Sequence, residues 1–328
     1  MSRLRRLLRS FDHYQQRRPA LGFPIAVGKK FGDDQAGYLA ALVAYFGFFS
    51  FFPLLLVLVT VLGFVLGRNS AASAGVVHTV LARVPIVGSQ ISAHGLRGSG
   101  VGLAVGLVFT LLAGIGVIQA LQYGMNEVWE VPMTERPKFL ASRLKALLML
   151  AVLGGATLAA TALAGIGSAG AHLAPVLSIV GPLASFGLDF VIVLVAFRVL
   201  TNAEVSWGQV MPGALFTGVA LAILQALGGF YVLHELKNAS QTYGTFATVI
   251  ALLSWLFLGA QITFAGAEIN VVKTKHLWPR AIASPPTEAG ERALAAQAQK
   301  QQRRPGQSIQ VGFGDSLYGQ GDVALPED

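Results

Sequence analysis

The sequence predicts an all-α polytopic membrane protein, and three observations carry that prediction. Charged residues make up only 12% of the 328 residues, whereas soluble domains carry about 25%. Mean hydropathy is +0.61. Six apolar segments also follow one another along the chain, and about 20 apolar residues suffice for a helix to cross a bilayer core of roughly 30 Å. We therefore predict six transmembrane helices together with short interfacial helices.

The first predicted span, Gly37–Leu66, contains no charged residue and follows two carboxylates, Asp33 and Asp34. Its 30 residues would extend roughly 45 Å as a helix, which exceeds the thickness of a bilayer core. We expect the excess length to tilt or bend. The bend is expected at Pro53, because proline removes a backbone donor and clashes with the preceding turn.

Five further apolar spans follow. Glycines in the second span permit close helix contact, and Pro212 is expected in the first turn of the fifth, where proline is tolerated. The connection 67–99 is either a short interfacial helix or a plain loop. The five spans are predicted at residues 100–123, 144–166, 180–199, 211–233 and 243–272.

The chain thus divides into three segments: residues 1–36, the transmembrane domain 37–272, and the tail 273–328. The first segment holds eight cations and is interpreted as a cytoplasmic basic amphipathic helix lying on an anionic leaflet. A solvated basic tail is the alternative. The last segment is rich in Gln, Pro, Gly and charge, so we expect a disordered cytoplasmic tail.

The distribution of basic residues predicts the orientation. Six spans place both termini on one side, and the segments on that side hold 20 of the 24 lysines and arginines. Lysine and arginine are enriched in cytoplasmic loops. Both termini are therefore predicted to be cytoplasmic.

Asp189 is the carboxylate deepest within a predicted span. Insertion scales put the cost of an ionised side chain at the bilayer centre at about 2.5–3.5 kcal/mol, so such groups face a cavity or a partner. One hypothesis is that Asp189 lines a polar pathway or takes up a proton. The other is that it is neutral or forms a hydrogen bond within the helix bundle.

Four further polar residues are candidates for a pathway or a polar core: Gln225, Gln261, Glu268 and Asn270. A structural ion pair of Glu268 with Arg198 or Lys273 is favoured over a role in transport. Asp33 and Asp34 are interpreted as helix-capping residues. The polar groups near the cytoplasmic ends of the spans suggest an inward-facing vestibule, formed by Asn126, Glu127, Glu130, Asn202, Glu204 and Asn270.

The sequence contains no sign of an enzyme or of a cofactor. It has no cysteine, which excludes disulfides and thiolate metal sites. Its six histidines are far apart, so no metal site is predicted. It also lacks a phosphate-binding glycine loop and a nucleophile elbow. The basic termini lack the interleaved aromatic residues of a nucleic-acid site, so the expected partner is the lipid bilayer.

Short motifs occur along the chain in a fixed order. They begin in the first span, include an Asn…Trp…Arg stretch after the second, and end with Gly-Ala-Glu-x-Asn in the last. Over about residues 20–275 they resemble the YihY/BrkB family of bacterial inner-membrane proteins. Trp129 of this set is also expected to be an interfacial anchor. The residues that carry the resemblance are Asp33, Ala40, Ala41, Tyr45, Ser50, Phe52, Pro53, Leu54, Leu55, Asn126, Trp129, Arg136, Pro212, Gly213, Ala214, Tyr243, Gly244, Trp255, Gly266, Ala267, Glu268 and Asn270.

The resemblance implies a six-helix protein of the bacterial cytoplasmic membrane with cytoplasmic ends. Members have been labelled virulence factor BrkB and, by a name regarded as a misassignment, ribonuclease BN. The favoured hypothesis is a transporter or translocator of lipids or solutes. The alternatives are a non-transporting envelope scaffold and the inherited ribonuclease label. Small-residue faces suit packing within one chain or between two, so the oligomeric state stays open.

Overall fold

The computed structural model describes residues 10–65, 100–169, 174–234, 245–282 and 286–307, together with residues 309 and 311. Within these ranges every regular element is a helix. A helical stretch at residues 10–16 comes first. It is followed by α1 (Pro19–Asp33), α2 (Ala36–Val65), α3 (Gly100–Val128), α4 (Phe139–Ala169), α5 (Ala174–Leu200), α6 (Trp207–His234), α7 (Thr245–Thr274) and α8 (Glu288–Gln299).

The all-helical prediction is confirmed for the described part of the chain, and each predicted span corresponds to one of the helices α2 to α7. Three of these meet both the length and the composition expected of a membrane-crossing helix within the described residues. These stretches are Ala104–Val128, Trp207–Gly228 and Val249–Thr274. The connection 67–99 and its predicted interfacial helix lie outside the described residues.

The helices pack around α7, which contacts α2, α3, α6 and the shorter α1. On the opposite side of the bundle, α4 packs against α3 and α5, and α5 packs against α6. Helices α6 and α7 approach each other closely, since a Cβ atom added to Gly213 would lie 1.9 Å from the carbonyl oxygen of Gly266. Only glycine allows the two backbones to come this close.

The position of Pro212 within its helix differs from the expectation. Helix α6 begins at Trp207, four residues before the predicted span, so Pro212 lies in the second turn and not in the first. Nearby, the backbone N–H of Gly213 donates a 2.7 Å hydrogen bond to Oδ1 of Asn270 on α7. Pro53 lies inside α2, and the bend expected there stays a prediction.

The described part of the N-terminal segment, residues 10–36, packs against the bundle on one face, and its location on an anionic leaflet stays a prediction. Gly22, Ala26 and Lys30 recur every four residues on α1 and are buried, so they form one face. Gln15 is also buried and donates a hydrogen bond to the carbonyl oxygen of Arg280 at 2.8 Å. The described part of this segment therefore joins the chain that follows α7.

The predicted disordered tail is wrong for residues 286–307. Here α8 begins after Thr287, whose side chain accepts a hydrogen bond from the backbone N–H of Gly290. Thr287 Oγ1 also donates to the carbonyl oxygen of Pro279 at 2.7 Å. The polar composition suggested disorder because it offers little apolar surface to bury, but the segment is held by polar contacts with the bundle.

Candidate functional site

A network of ion pairs lies where α1, α2, α3, α7 and α8 meet, and Lys30 is at its centre. The side chain of Lys30 is only 1% exposed. Its Nζ forms an ion pair with Asp34 and lies 3.2 Å from Glu130 Oε1 and 3.6 Å from Glu268 Oε2. It also donates a 3.0 Å hydrogen bond to the carbonyl oxygen of Val128. One ammonium group thus faces three carboxylates.

Three further cations extend the network outward. Lys275 pairs with Glu130 at 2.7 Å, and Arg136 pairs with Glu127 at 2.8 Å. Lys300 bridges Asp34 Oδ1 at 2.9 Å and Glu127 Oε2 at 3.1 Å. We call the connected set the charge cluster; it consists of Lys30, Asp34, Glu127, Glu130, Arg136, Glu268, Lys275 and Lys300.

Backbone conformation helps to place these side chains. Gln35 follows Asp34, His276 follows Lys275, and Glu130 belongs to the charge cluster itself; all three have a left-handed backbone, with φ between 52° and 59°. Non-glycine residues adopt this region uncommonly, and it recurs at functional sites. At Glu130 it ends α3, because the N–H of Val131 turns back to the carbonyl oxygen of Asn126. The turn directs the chain so that Glu130 reaches both Lys30 and Lys275.

The charge cluster is electrically balanced, with four cations and four carboxylates. Burial alone would lower the pKa of Lys30, but Glu268, Glu130 and Asp34 raise it above its ordinary value. Burial likewise lowers the pKa of Lys300, but Asp34 and Glu127 outweigh this effect, so that the pKa of Lys300 is raised above its ordinary value. Both ammonium groups therefore stay protonated at physiological pH. Beside the cluster, Arg280 pairs with Asp33 at 2.6 Å.

Among the candidates for a pathway or a polar core, Glu268 is the one that the structure places in the charge cluster. It is fully buried, at 0% exposure, and lies within the stretch Val249–Thr274 of α7, which is long and apolar enough to cross a membrane. Neither of its carboxylate oxygens has a hydrogen-bond partner among the described residues. Its nearest cation is Lys30, so the expected pairing with Arg198 or Lys273 is wrong.

The other candidates lie elsewhere. Asp189 is partly buried on α5, eleven residues before that helix ends, which is roughly 16 Å along the helix axis. It has interaction partners. Gln225 and Gln261 are partly buried on α6 and α7. Asn270 is buried but bonds to Gly213 on α6.

The motif residues near the charge cluster have structural contacts. Asp33 and Asp34 form ion pairs. Asn126 accepts a hydrogen bond from the backbone N–H of Asn202 at 2.8 Å. Trp129 is 4% exposed and is therefore not an interfacial anchor; its carbonyl oxygen accepts from Lys275 at 3.0 Å. Arg136 binds the carbonyl oxygen of Val131 as well as Glu127.

The remaining motif residues are distant or lie outside the described residues. Tyr45 is exposed on α2 and packs edge-to-face on Phe46. The indole N–H of Trp255 on α7 is buried without a hydrogen-bond partner in the described part of the chain. Tyr243 and Gly244 lie outside the described residues.

Sequence reasoning missed three cations of the charge cluster, Lys30, Lys275 and Lys300. Lys30 stands four residues before Asp34, the spacing at which oppositely charged side chains meet on a helix, and this spacing could have identified it. Nothing in the local sequence around Lys300 indicates its partners, because Asp34 is 266 residues away. Beside these contacts, a pocket of about 490 Å³ is lined by residues of both the bundle and the tail: Asp33, Asp34, Gln35, Tyr38, Leu39, Tyr123, Glu127, Leu294, Gln297, Ala298, Lys300 and Gln301.

The family model described as virulence factor BrkB matches residues 27–289. The chain belongs to this family. Seven of the eight residues of the charge cluster lie within the BrkB match, and Lys300 lies beyond its end. The protein is a membrane protein with helices apolar and long enough to span a bilayer. The resemblance noted from the sequence motifs is thereby confirmed.

Several curated proteins are similar to this BrkB-family chain. A UPF0761 membrane protein of Methylibium petroleiphilum is 30% identical over 171 residues, which are 50% of this chain and 40% of that protein. A UPF0761 membrane protein of Stenotrophomonas maltophilia is 26% identical over 287 residues, or 79% and 62%. A Bacillus subtilis protein, YfkH, whose name describes it as ribonuclease-like, is 33% identical over 94 residues, or 27% and 34%.

The chain spans less than two thirds of the length of each of these three relatives. No solved structure matches it.

Proposed function

We propose that the protein is a transporter or translocator of lipids or solutes in the bacterial cytoplasmic membrane. The observation that carries the proposal is Glu268, a fully buried carboxylate on a membrane-crossing stretch with both oxygens lacking hydrogen bonds among the described residues. Ionisable residues inside membrane helices mark substrate or ion pathways by default.

The energetics of Glu268 favour a protein with more than one conformation. A buried polar group without a hydrogen bond costs free energy, which hydration or a new partner recovers. In a conformation that admits water to the charge cluster, hydration of Glu268 would lower the free energy. Separation of the ion pairs of the cluster in the same conformation would raise it. This opposition can keep two states close in free energy, as alternating access requires.

Membrane topology completes the proposal. Six long helices, from α2 to α7, contain 27 to 31 residues each, and each is long enough to cross a bilayer core. The distribution of basic residues supports an orientation in which six such crossings leave both termini in the cytoplasm. The charge cluster then lies at the cytoplasmic end of the bundle, in the place of the predicted inward-facing vestibule.

The N-terminal segment supports an interaction with anionic lipids within the same proposal. Phe11, Tyr14 and Leu21 are exposed hydrophobic residues, and the exposed Arg18 lies over the ring of Tyr14 at 4.8 Å. Exposed aromatic and basic side chains on one segment suit the lipid headgroup region.

A non-transporting envelope scaffold is the second candidate, and the charge balance of the cluster favours it. Four cations neutralise four carboxylates across five helices, so the network would also suit a permanent clamp. The scaffold hypothesis predicts that co-purified partners are lost when the termini are truncated, while vesicles show no flux.

The ribonuclease hypothesis is the weakest. It rests on the name of one relative that matches 27% of this chain. The described residues contain no group of three His, Asp or Glu side chains arranged to hold a metal ion. We therefore do not propose that the protein is an enzyme.

The test is a flux assay in proteoliposomes with a panel of solutes and fluorescent phospholipids. We expect the native protein to move at least one of them. The Glu268→Gln variant should be at least about tenfold slower, which corresponds to ~1.4 kcal/mol in the barrier. Glu135→Gln is the matched control, because Glu135 is exposed and lies outside the charge cluster. No flux by the native protein, or equal flux by Glu268→Gln, would contradict the proposal.

A further inference from the structure

The chain after α7 turns back, and α8 lies across the end of the bundle. The polar contacts of this segment include three that attach it to other parts of the chain. Thr287 donates to the carbonyl oxygen of Pro279, Gln297 donates to the carbonyl oxygen of Asp33 at 2.8 Å, and Lys300 enters the charge cluster. Two of the three contacts therefore lie at the C-terminal end of α8.

The apolar contribution to this attachment is small. The buried residues of α8 are Ala289, Gly290 and Ala293, and its leucine, Leu294, is exposed. Hydrophobic stabilisation scales with the apolar area buried, so methyl-sized side chains contribute little. The helix is consequently held mainly by its polar contacts, and Lys300 makes a charged contact in which both partners are largely buried.

The bundle keeps its own partners if Lys300 leaves. Asp34 retains Lys30, and Glu127 retains Arg136. The departure of Lys300 therefore removes one of two cations from each carboxylate and does not isolate either of them. This arrangement differs from that of Lys30, whose loss would remove the counter-ion of Glu268.

Departure of α8 would also remove one wall of the pocket of about 490 Å³. The opposite wall belongs to the bundle and includes Asp34, Tyr38, Tyr123 and Glu127. With α8 in place, Lys300 is 6% exposed and Asp34 is buried. Both carboxylates that bind Lys300 would then face solvent.

We propose that α8 is a releasable strap, that Lys300 is its lock, and that release of the strap uncovers Asp34 and Glu127 while the bundle stays folded. A strap of this kind regulates access to the charge cluster from the side that carries the chain termini. The inference does not depend on transport, because it concerns the conformation of the chain and is tested without a substrate.

The test uses the absence of cysteine from the native sequence. A single cysteine replaces Ala293, which is buried on α8, and its reaction with a maleimide is timed in the full-length protein in detergent micelles. Labelling follows the population of the opened state when opening is fast. Adding Lys300→Gln should accelerate labelling between about tenfold and a hundredfold, because charge-assisted hydrogen bonds are lost.

Three comparisons make the result specific. Arg304→Gln removes an exposed cation from the same segment and should leave the labelling rate unchanged. Lys300→Arg should retain most of the protection. A cysteine replacing Ala214, which is fully buried on α6, should stay unreactive in the Lys300→Gln background. An unchanged rate at position 293, or an equal acceleration at position 214, would overturn the proposal.

Discussion

The two faces of α7 are held to the rest of the bundle by different kinds of interaction. On one face, Glu268 meets the ammonium group of Lys30 in the charge cluster. On the other, Gly266 lies against the backbone of Gly213, and Asn270 binds the N–H of Gly213. The first face depends on balanced charges from distant parts of the chain. The second depends on the absence of side-chain atoms.

The comparison shows what each face can tolerate. A buried ion pair is strongly destabilising only when one partner is removed, since replacement of both partners is often neutral. A close backbone contact instead tolerates no added atom, because packed interiors lack free volume. Substitutions on the two faces should therefore destabilise the protein for different reasons.

The largest expected effect is that of Lys30→Met. Three buried carboxylates lose their common counter-ion, and breaking a buried pair costs about 3–5 kcal/mol. The free energy of unfolding, measured by chemical denaturation in detergent micelles, should fall by that amount. Lys273→Met is the control, because Lys273 is an exposed lysine on α7. Equal effects of the two substitutions would show that the charged face does not depend on Lys30.

The second largest effect is expected of Gly213→Ala. The added Cβ would lie 1.9 Å from the carbonyl oxygen of Gly266, so α6 and α7 must separate, and overpacking costs about 1–3 kcal/mol. Gly208→Ala on the same helix is the matched control, because nothing lies within 4 Å of its added Cβ. That substitution should be neutral or should stabilise by up to about 1 kcal/mol. Equal unfolding free energies of the two variants would show that the close backbone contact does not determine the stability of this face.

The two faces also differ in how far the sequence predicted them. The spans and their order followed from apolar length, and the Gly-Ala-Glu-x-Asn motif, noted for the family resemblance, includes residues of both faces of α7. It did not identify the partner of Glu268. Lys30 lies 238 positions away in the sequence, and three-dimensional packing alone brings the two residues together.

In the terminal segments, too, the sequence did not reveal the partners of buried charged residues. Composition predicted a basic surface segment at the N-terminus and a disordered tail at the C-terminus. In the structure, Lys30 is buried by α1 packing against α7, and Lys300 is buried between Asp34 and Glu127. Charged residues are rarely fully buried unless they are paired, and pairing over such sequence distances leaves no local pattern.

The smallest expected effect is that of alkaline pH on the charged face. The carboxylates raise the folded-state pKa of Lys30 and of Lys300 above 10.5. A group with a raised folded-state pKa contributes stability that is fully present below its unfolded-state pKa and is lost as the pH rises through the folded-state value. The difference in Tm between the native protein and Lys300→Gln should therefore stay constant from about pH 7 to about pH 10. A difference that shrinks within this range would contradict the raised pKa of Lys300.

The central claim is that Lys30 joins distant segments through buried ion pairs, and a double-mutant cycle tests it most directly. Lys30 and Glu130 are 100 positions apart in the sequence, and their charged atoms are 3.2 Å apart. Unfolding free energies of Lys30→Met, Glu130→Gln and the double variant would give the coupling energy. We expect a coupling of about 1–3 kcal/mol, so that the double variant is more stable than the sum of the single effects predicts. A coupling near zero would contradict the claim.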